Sequence, residues 1–134
     1  MEWGEDGVVD VPFHKILEVL AKKRNTTCMT GRFIRSIEIP KVLHSFTGGN
    51  VDYDEDVNVG HDDSVVVTSK LHSNQAMWSV RYKLAGPSQT AVRTDLSILK
   101  RIPSVLHPVV RAVAARRFRS ERNEETKIYA QLFS

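Results

Sequence analysis

Hydrophobic and polar positions repeat with two different periods along this chain, and the changes of period mark its elements. Residues 7–11 read as a short strand that runs directly into a helix at Pro12, a residue whose missing N–H costs nothing at the first helical position. Phe13, Ile16, Leu17 and Leu20 then recur at helical spacing. The helix is therefore amphipathic, about three turns long, with Lys15, Glu18, Lys22 and Lys23 assigned to its wet face. Lys22-Lys23-Arg24 also sets positive charge at the C-terminal end of the helix dipole.

From Arg32 the period becomes two. Residues 33–39 alternate as a strand and stop at Pro40, which cannot donate to a ladder and keeps the residue before it extended. Thr47-Gly48-Gly49-Asn50 signals a turn. In residues 51–59, Val51, Tyr53, Val57 and Val59 share a face whose one charge is Glu55, while Asp52, Asp54, Asp56 and Asn58 share the other. Gly60-His61-Asp62-Asp63 turns the chain into residues 64–71, where β-branched side chains favour a strand. After Ser73-Asn74-Gln75, Trp78, Val80, Tyr82 and Leu84 alternate with polar residues. After Ala85-Gly86-Pro87-Ser88, Val92, Thr94, Leu96 and Ile98 do the same. These segments predict an antiparallel meander with one buried and one solvated face.

The closing segment returns to helical spacing. Ser104 is its cap, Pro108 falls in the first turn, and Leu106, Val109, Val110, Val113, Ala114 and Phe118 form an apolar stripe. Between positions 119 and 127 the helix is polar on every side, which assigns its middle to solvent. Ile128, Tyr129, Leu132 and Phe133 then need apolar cover. The fold class is α+β: an antiparallel meander packed against a long C-terminal helix, with one N-terminal helix.

The 134 residues fit a single domain, and 41% hydrophobic with 26% charged residues excludes a disordered or fibrous chain. The net charge of +3 conceals a dipole along the chain. Through Val67 there are seven basic and twelve acidic residues; from Thr68 onward there are twelve basic and four acidic. No run approaches the roughly 20 apolar residues needed to span a bilayer. The start, with Glu2, Glu5, Asp6 and Asp10, lacks the basic opening of a signal peptide, and one cysteine, Cys28, forms no disulfide within the chain. Together these make a cytoplasmic protein the expectation.

Chemistry is harder to find. Asp52, Asp54, Asp56, Asn58 and Asp63 imitate a calcium loop, but Val57 occupies the glycine position and Asp63 the glutamate position, so no metal is expected. The five histidines are scattered, and no nucleophile elbow, P-loop, dinucleotide fingerprint or H-E-x-x-H is present. No catalytic residue and no cofactor is assigned. The strongest charge feature is Arg111, Arg116, Arg117, Arg119 and Arg122 on the last helix. It suits an anionic partner: a membrane surface, at about 1 kcal/mol per basic residue, ahead of nucleic acid, for which only Phe118 offers a stacking platform. A solvated face, with Glu121 and Glu125 as helix partners of Arg117 and Arg122, is the simpler alternative.

Val9-Asp10-Val11-Pro12 before the first helix, Trp78-Ser79-Val80-Arg81-Tyr82 and Thr90-Ala91-Val92-Arg93-Thr94-Asp95-Leu96 in late strands, and a closing helix over residues 105–133 follow one another in a telling order. The order resembles the helix-grip superfamily, START-like and Bet v 1-like. That resemblance implies a curved sheet wrapped around the C-terminal helix, with a cavity that accepts a lipid, sterol, polyketide or other apolar molecule; some branches are enzymes. The short link before Phe33 implies a smaller cavity than usual, or none. A one-sided sheet must in any case be covered by the two helices, which makes Phe33, Tyr53, Trp78, Tyr82 and Val113 the candidate ligand-binding residues. The expected function is non-catalytic binding of an apolar or amphipathic ligand, with the basic helix facing an anionic membrane or partner. The alternatives are a homo-oligomeric assembly module docking through residues 128–133, and nucleic-acid binding through the basic helix.

Overall fold

Alternation carries the sheet. In the computed structural model, the described residues form six strands: β1 (Glu2–Val9), β2 (Gly31–Glu38), β3 (Asn50–Val59), β4 (Val65–Leu71), β5 (Ala76–Leu84) and β6 (Thr90–Ile98). They form one antiparallel sheet in the order β1-β6-β5-β4-β3-β2. The structure describes residues 1–26, 31–44, 50–60, 63–72 and 76–133. Cys28, the turn residues Thr47-Gly48-Gly49 and Ser73-Asn74-Gln75, and the His61-Asp62 half of another turn lie outside them.

β2 to β6 form the meander that the period-two segments predict. β1 adds to the far side of β6 and is longer than its sequence suggests, starting at Glu2 rather than Gly7. Its first half has Trp3 as its one apolar side chain and no local partner in the sequence; the pairing comes from β6, far along the chain. Trp3 turns inward and stacks on Phe118 with ring centroids 5.7 Å apart. Glu5 meets Arg119 at 2.5 Å.

Pro12 caps a single 3-10 turn, Phe13–Lys15, which leads into helix α1 (Ile16–Lys23). The Thr90 hydroxyl donates to the Val11 carbonyl at 2.7 Å, fixing the point where strand becomes helix. Another 3-10 turn, Ser104–Leu106, opens helix α2 (His107–Phe133), with Pro108 in its first turn. Ile16, Val19 and Leu20 of α1, Val57, Val67, Val80 and Tyr82 of the sheet, and Ala114 and Phe118 of α2 form one buried cluster. Each such aliphatic side chain contributes roughly 1.5–3 kcal/mol by leaving water.

Three expectations are overturned here. Lys23 is not on a wet face: its side chain is 2% exposed and lies against α2. The middle of α2 meets solvent on one side only: Arg119, Asn123, Glu124 and Lys127 are exposed, but Glu121 and Glu125 are buried. Val59 and Leu84, assigned inward by alternation, are exposed at strand ends that the helices do not cover. Residues 128–133 find much of their cover within the same chain. Ile128 and Tyr129 pack on the main cluster, Tyr129 and Phe133 are 5.3 Å apart, and the Lys15 ammonium lies 4.3 Å above the Phe133 ring. The acidic side of β3 faces outward, where Asp52, Asp54 and Asp56 meet Ser36, His72 and Arg32.

Candidate functional site

Between the inner face of the sheet and α2 lies a cavity of about 140 Å³. That is close to the ~150 Å³ of an apolar cavity able to hold a benzene molecule. The cavity has two chemically different ends because α2 changes character along its length. At the start of the helix, Val110 packs with Leu43 and Ile102, and Ile39, Ile98 and Leu106 close around them. Tyr53, Leu71, Ala76 and Ile37 continue the apolar wall across the sheet. Three turns further on, the same helix face carries Glu121 and Glu125 instead of aliphatic groups.

Those carboxylates anchor a network of ions. Lys23 contacts Glu121 and lies 2.9 Å from Glu125. Arg122 holds Glu125 through two bonds of 2.7 Å, and the Tyr82 hydroxyl donates to the same carboxylate at 3.0 Å. Arg117 meets Glu121 at 2.8 Å. From the other side, Arg24 reaches Glu55 of β3 at 2.5 Å and donates to the Leu20 carbonyl at 3.1 Å. Arg35 of β2 lies between the two groups, 3.6 Å from Glu55 and 3.9 Å from Glu121. Charge-assisted pairs of this kind offset the desolvation that burial imposes on each partner.

The protonation states follow from the geometry. Burial pushes the Glu125 carboxyl up, but the charges of Arg122 and Lys23, and their hydrogen bonds, outweigh it and hold the group below the usual carboxylate range. Glu121 behaves alike: burial opposes ionisation, while Lys23, Arg117 and Arg35 overcome it. Burial, and next the Glu125 charge, lift the Tyr82 phenol well above its ordinary value, so it remains a donor. Burial raises Tyr53 as well, against the pull of Arg35.

Of the five residues assigned to a ligand site from the sequence, Tyr53, Trp78, Tyr82 and Val113 line this cavity, while Phe33 packs on the main core and is not part of the lining. The five arginines assigned to an anionic partner do not share one surface. Arg117 and Arg122 line the cavity, Arg119 is paired with Glu5, and Arg111 and Arg116 are exposed. Sequence reasoning missed Lys23, Arg24, Arg35 and Ser69 as cavity residues. For the two strand residues the signal was phase: Arg35 lies two positions from Phe33 and two from Ile37, and Ser69 two from Val67 and two from Leu71.

No family model matches the chain, and no curated protein does. Among solved structures it is similar to a START superfamily protein from Mycobacterium smegmatis, with a TM-score of 0.63 and 12% identity over 98% of each chain. It is also similar to norcoclaurine synthase from Thalictrum flavum, solved in complex with dopamine and hydroxybenzaldehyde, with a TM-score of 0.57 and 10% identity over 100% of this chain and 88% of that one. A third likeness is to the Aha1 dimer from Colwellia psychrerythraea, with a TM-score of 0.52 and 16% identity over 92% and 94% of the two chains. At such identities the likeness is one of fold, and the fold is helix-grip.

Proposed function

We propose that this helix-grip chain is a non-catalytic cytoplasmic protein that binds an amphipathic small molecule between its sheet and its C-terminal helix. The observation that carries this reading is the cavity's polarity: an aliphatic end around Val110, Ile98 and Ile37, and an ionic end around Glu121, Arg122 and Arg35. A filled core would have no need of buried ions at one end, whereas a ligand with an apolar body and a polar head matches both ends. The cavity size suits a single ring or a short chain. The norcoclaurine synthase complex with small aromatic molecules is consistent with use of this fold in that way.

Binding of toluene, read by isothermal titration and competed by octanol, tests the reading. Val113 lines the cavity, so Val113→Trp is expected to fill it, lowering stability by about 1–3 kcal/mol and abolishing toluene binding in a protein that still folds. A folded Val113→Trp variant that binds toluene as the wild type does places the guest elsewhere and overturns the reading.

Contact with an anionic membrane is a second reading, favoured by the surface at the apolar end. Val42, Leu99 and Val105 are exposed beside the buried Leu43 and Ile102 and the partly buried Ile98, which line the cavity there. Lys41, Arg101 and Arg111 are exposed in the same segments. Vesicles containing phosphatidylglycerol are expected to retain the protein at low salt and to release it as salt rises. Retention is expected to weaken in a Leu99→Asp, Val105→Asp double variant, and equal retention by purely phosphatidylcholine vesicles would remove the electrostatic part.

A further inference from the structure

The ionic end of the cavity is unbalanced. Lys23, Arg24, Arg35, Arg117 and Arg122 supply five cations, whereas Glu55, Glu121 and Glu125 supply three carboxylates. The pairing is unequal as well. Glu125 is saturated by Lys23, Arg122 and Tyr82, and Glu55 is held by Arg24 at hydrogen-bond distance. Arg35, by contrast, lies at 3.6 and 3.9 Å from its two carboxylates, beyond the range of a good hydrogen bond.

Two buried donors have no partner among the described residues: the Ser69 hydroxyl and the Nη1 group of Arg122. Both residues line the cavity. Ser69 is 1% exposed, and its register places it on β4 between Glu55 of β3 and Trp78 of β5. A buried donor left unpaired costs about 1–3 kcal/mol, so an apolar cavity wall would have no use for it. A guanidinium with free donors in a water-poor site matches a planar or tetrahedral oxyanion.

From this surplus and these unmet donors we infer that the ionic end is an oxyanion-recognition site, and that the ligand is an amphiphile whose head is a carboxylate or a phosphate. The inference rests on the ligand-binding reading above and narrows it. A neutral head leaves the surplus charge uncompensated, and an ammonium head adds to it.

Isothermal titration of the full chain with octanoate, octyl phosphate, octanol and octylammonium tests the assignment. At least one oxyanion is expected to bind roughly tenfold more tightly than octanol, with octylammonium weakest; the tighter of the two acids identifies the head group. Ser69→Ala removes a buried hydroxyl that has no partner, so the melting temperature is expected to hold or rise while the preference for the oxyanion over octanol falls about 5–10-fold. Arg35→Met is expected to narrow the same ratio. Octanol binding as tightly as both oxyanions, octylammonium binding best, or an unchanged ratio in both variants overturns the oxyanion site and leaves the cavity reading standing. If none of the four compounds binds, both fall.

Discussion

Glu125→Ala is expected to lower stability at neutral pH by about 3–5 kcal/mol, the range for removing one partner of a buried ion pair. For a chain of this length that corresponds to a fall in melting temperature on the order of 10–20 °C. The carboxylate is fully buried and accepts from Lys23, Arg122 and Tyr82. Without it, two cations remain inside the protein, the Lys23 side chain being only 2% exposed. Glu125→Gln keeps the shape and one acceptor but not the charge, so a smaller loss follows. The same carboxylate sets the acid limit. Its folded-state pKa, like that of Glu121, is depressed, so the stabilisation is present above the ordinary carboxylate value and is lost as pH falls through the folded one. The wild type is thus expected to melt at a steady temperature near neutrality and to weaken progressively below about pH 4.5, with a shallower acid slope in Glu125→Gln. Differential scanning fluorimetry across this range checks both points. A Glu125→Ala protein that melts within about 2 °C of the wild type at pH 7, under ~1 kcal/mol by the same conversion, would show that the network contributes nothing.

The fold was legible because four of its strands announce themselves by alternation, a fifth by its β-branched run, and both helices by apolar stripes. What the alternation could not show was β1 from Glu2 to Asp6, where Trp3 is the one large apolar side chain and the strand partner is β6, some ninety positions away. The site was half legible. Tyr53, Trp78, Tyr82 and Val113 are large apolar groups at inward positions, and size with phase is enough to nominate them. The ionic end was not legible because charge and phase point in opposite directions there. Glu121 and Glu125 continue the Val110, Ala114, Phe118 stripe at steps of three and four residues, so periodicity assigns them inward although their charge assigns them outward. Glu55 interrupts an otherwise apolar strand face in the same manner. A charge at an inward position requires a buried counter-charge from another element, and the candidates were the basic residues at the end of α1. Which of them point inward depends on how α1 crosses α2, and no local pattern encodes that angle.

Phe118→Ala is expected to have the other large effect, and it separates stability from ligand capacity. Phe118 is a keystone between elements: its ring stacks on Trp3 of β1 at 5.7 Å and meets Trp78 of β5 edge-on at 6.4 Å. Removing a buried phenylalanine side chain typically costs about 3–5 kcal/mol, and each aromatic pair adds about 0.5–1.5 kcal/mol to what area alone gives. The loss therefore belongs at the upper part of the range and is expected to loosen β1, whose inward anchor is Trp3. Phe118 also lines the cavity, so the space it vacates joins the existing one rather than forming an isolated void. An apolar guest can occupy that space and recover part of the missing contact, and binding to the folded state alone raises stability with ligand concentration. The variant is thus expected to melt well below the wild type when empty, yet to gain more from saturating octanol than the wild type does. If both proteins gain equally, the cavity beside Phe118 is not where the guest binds; if the empty variant loses less than about 1 kcal/mol, the Trp3–Phe118–Trp78 contact is not holding β1 to α2, because a buried aromatic that is truly packed does not leave so little behind.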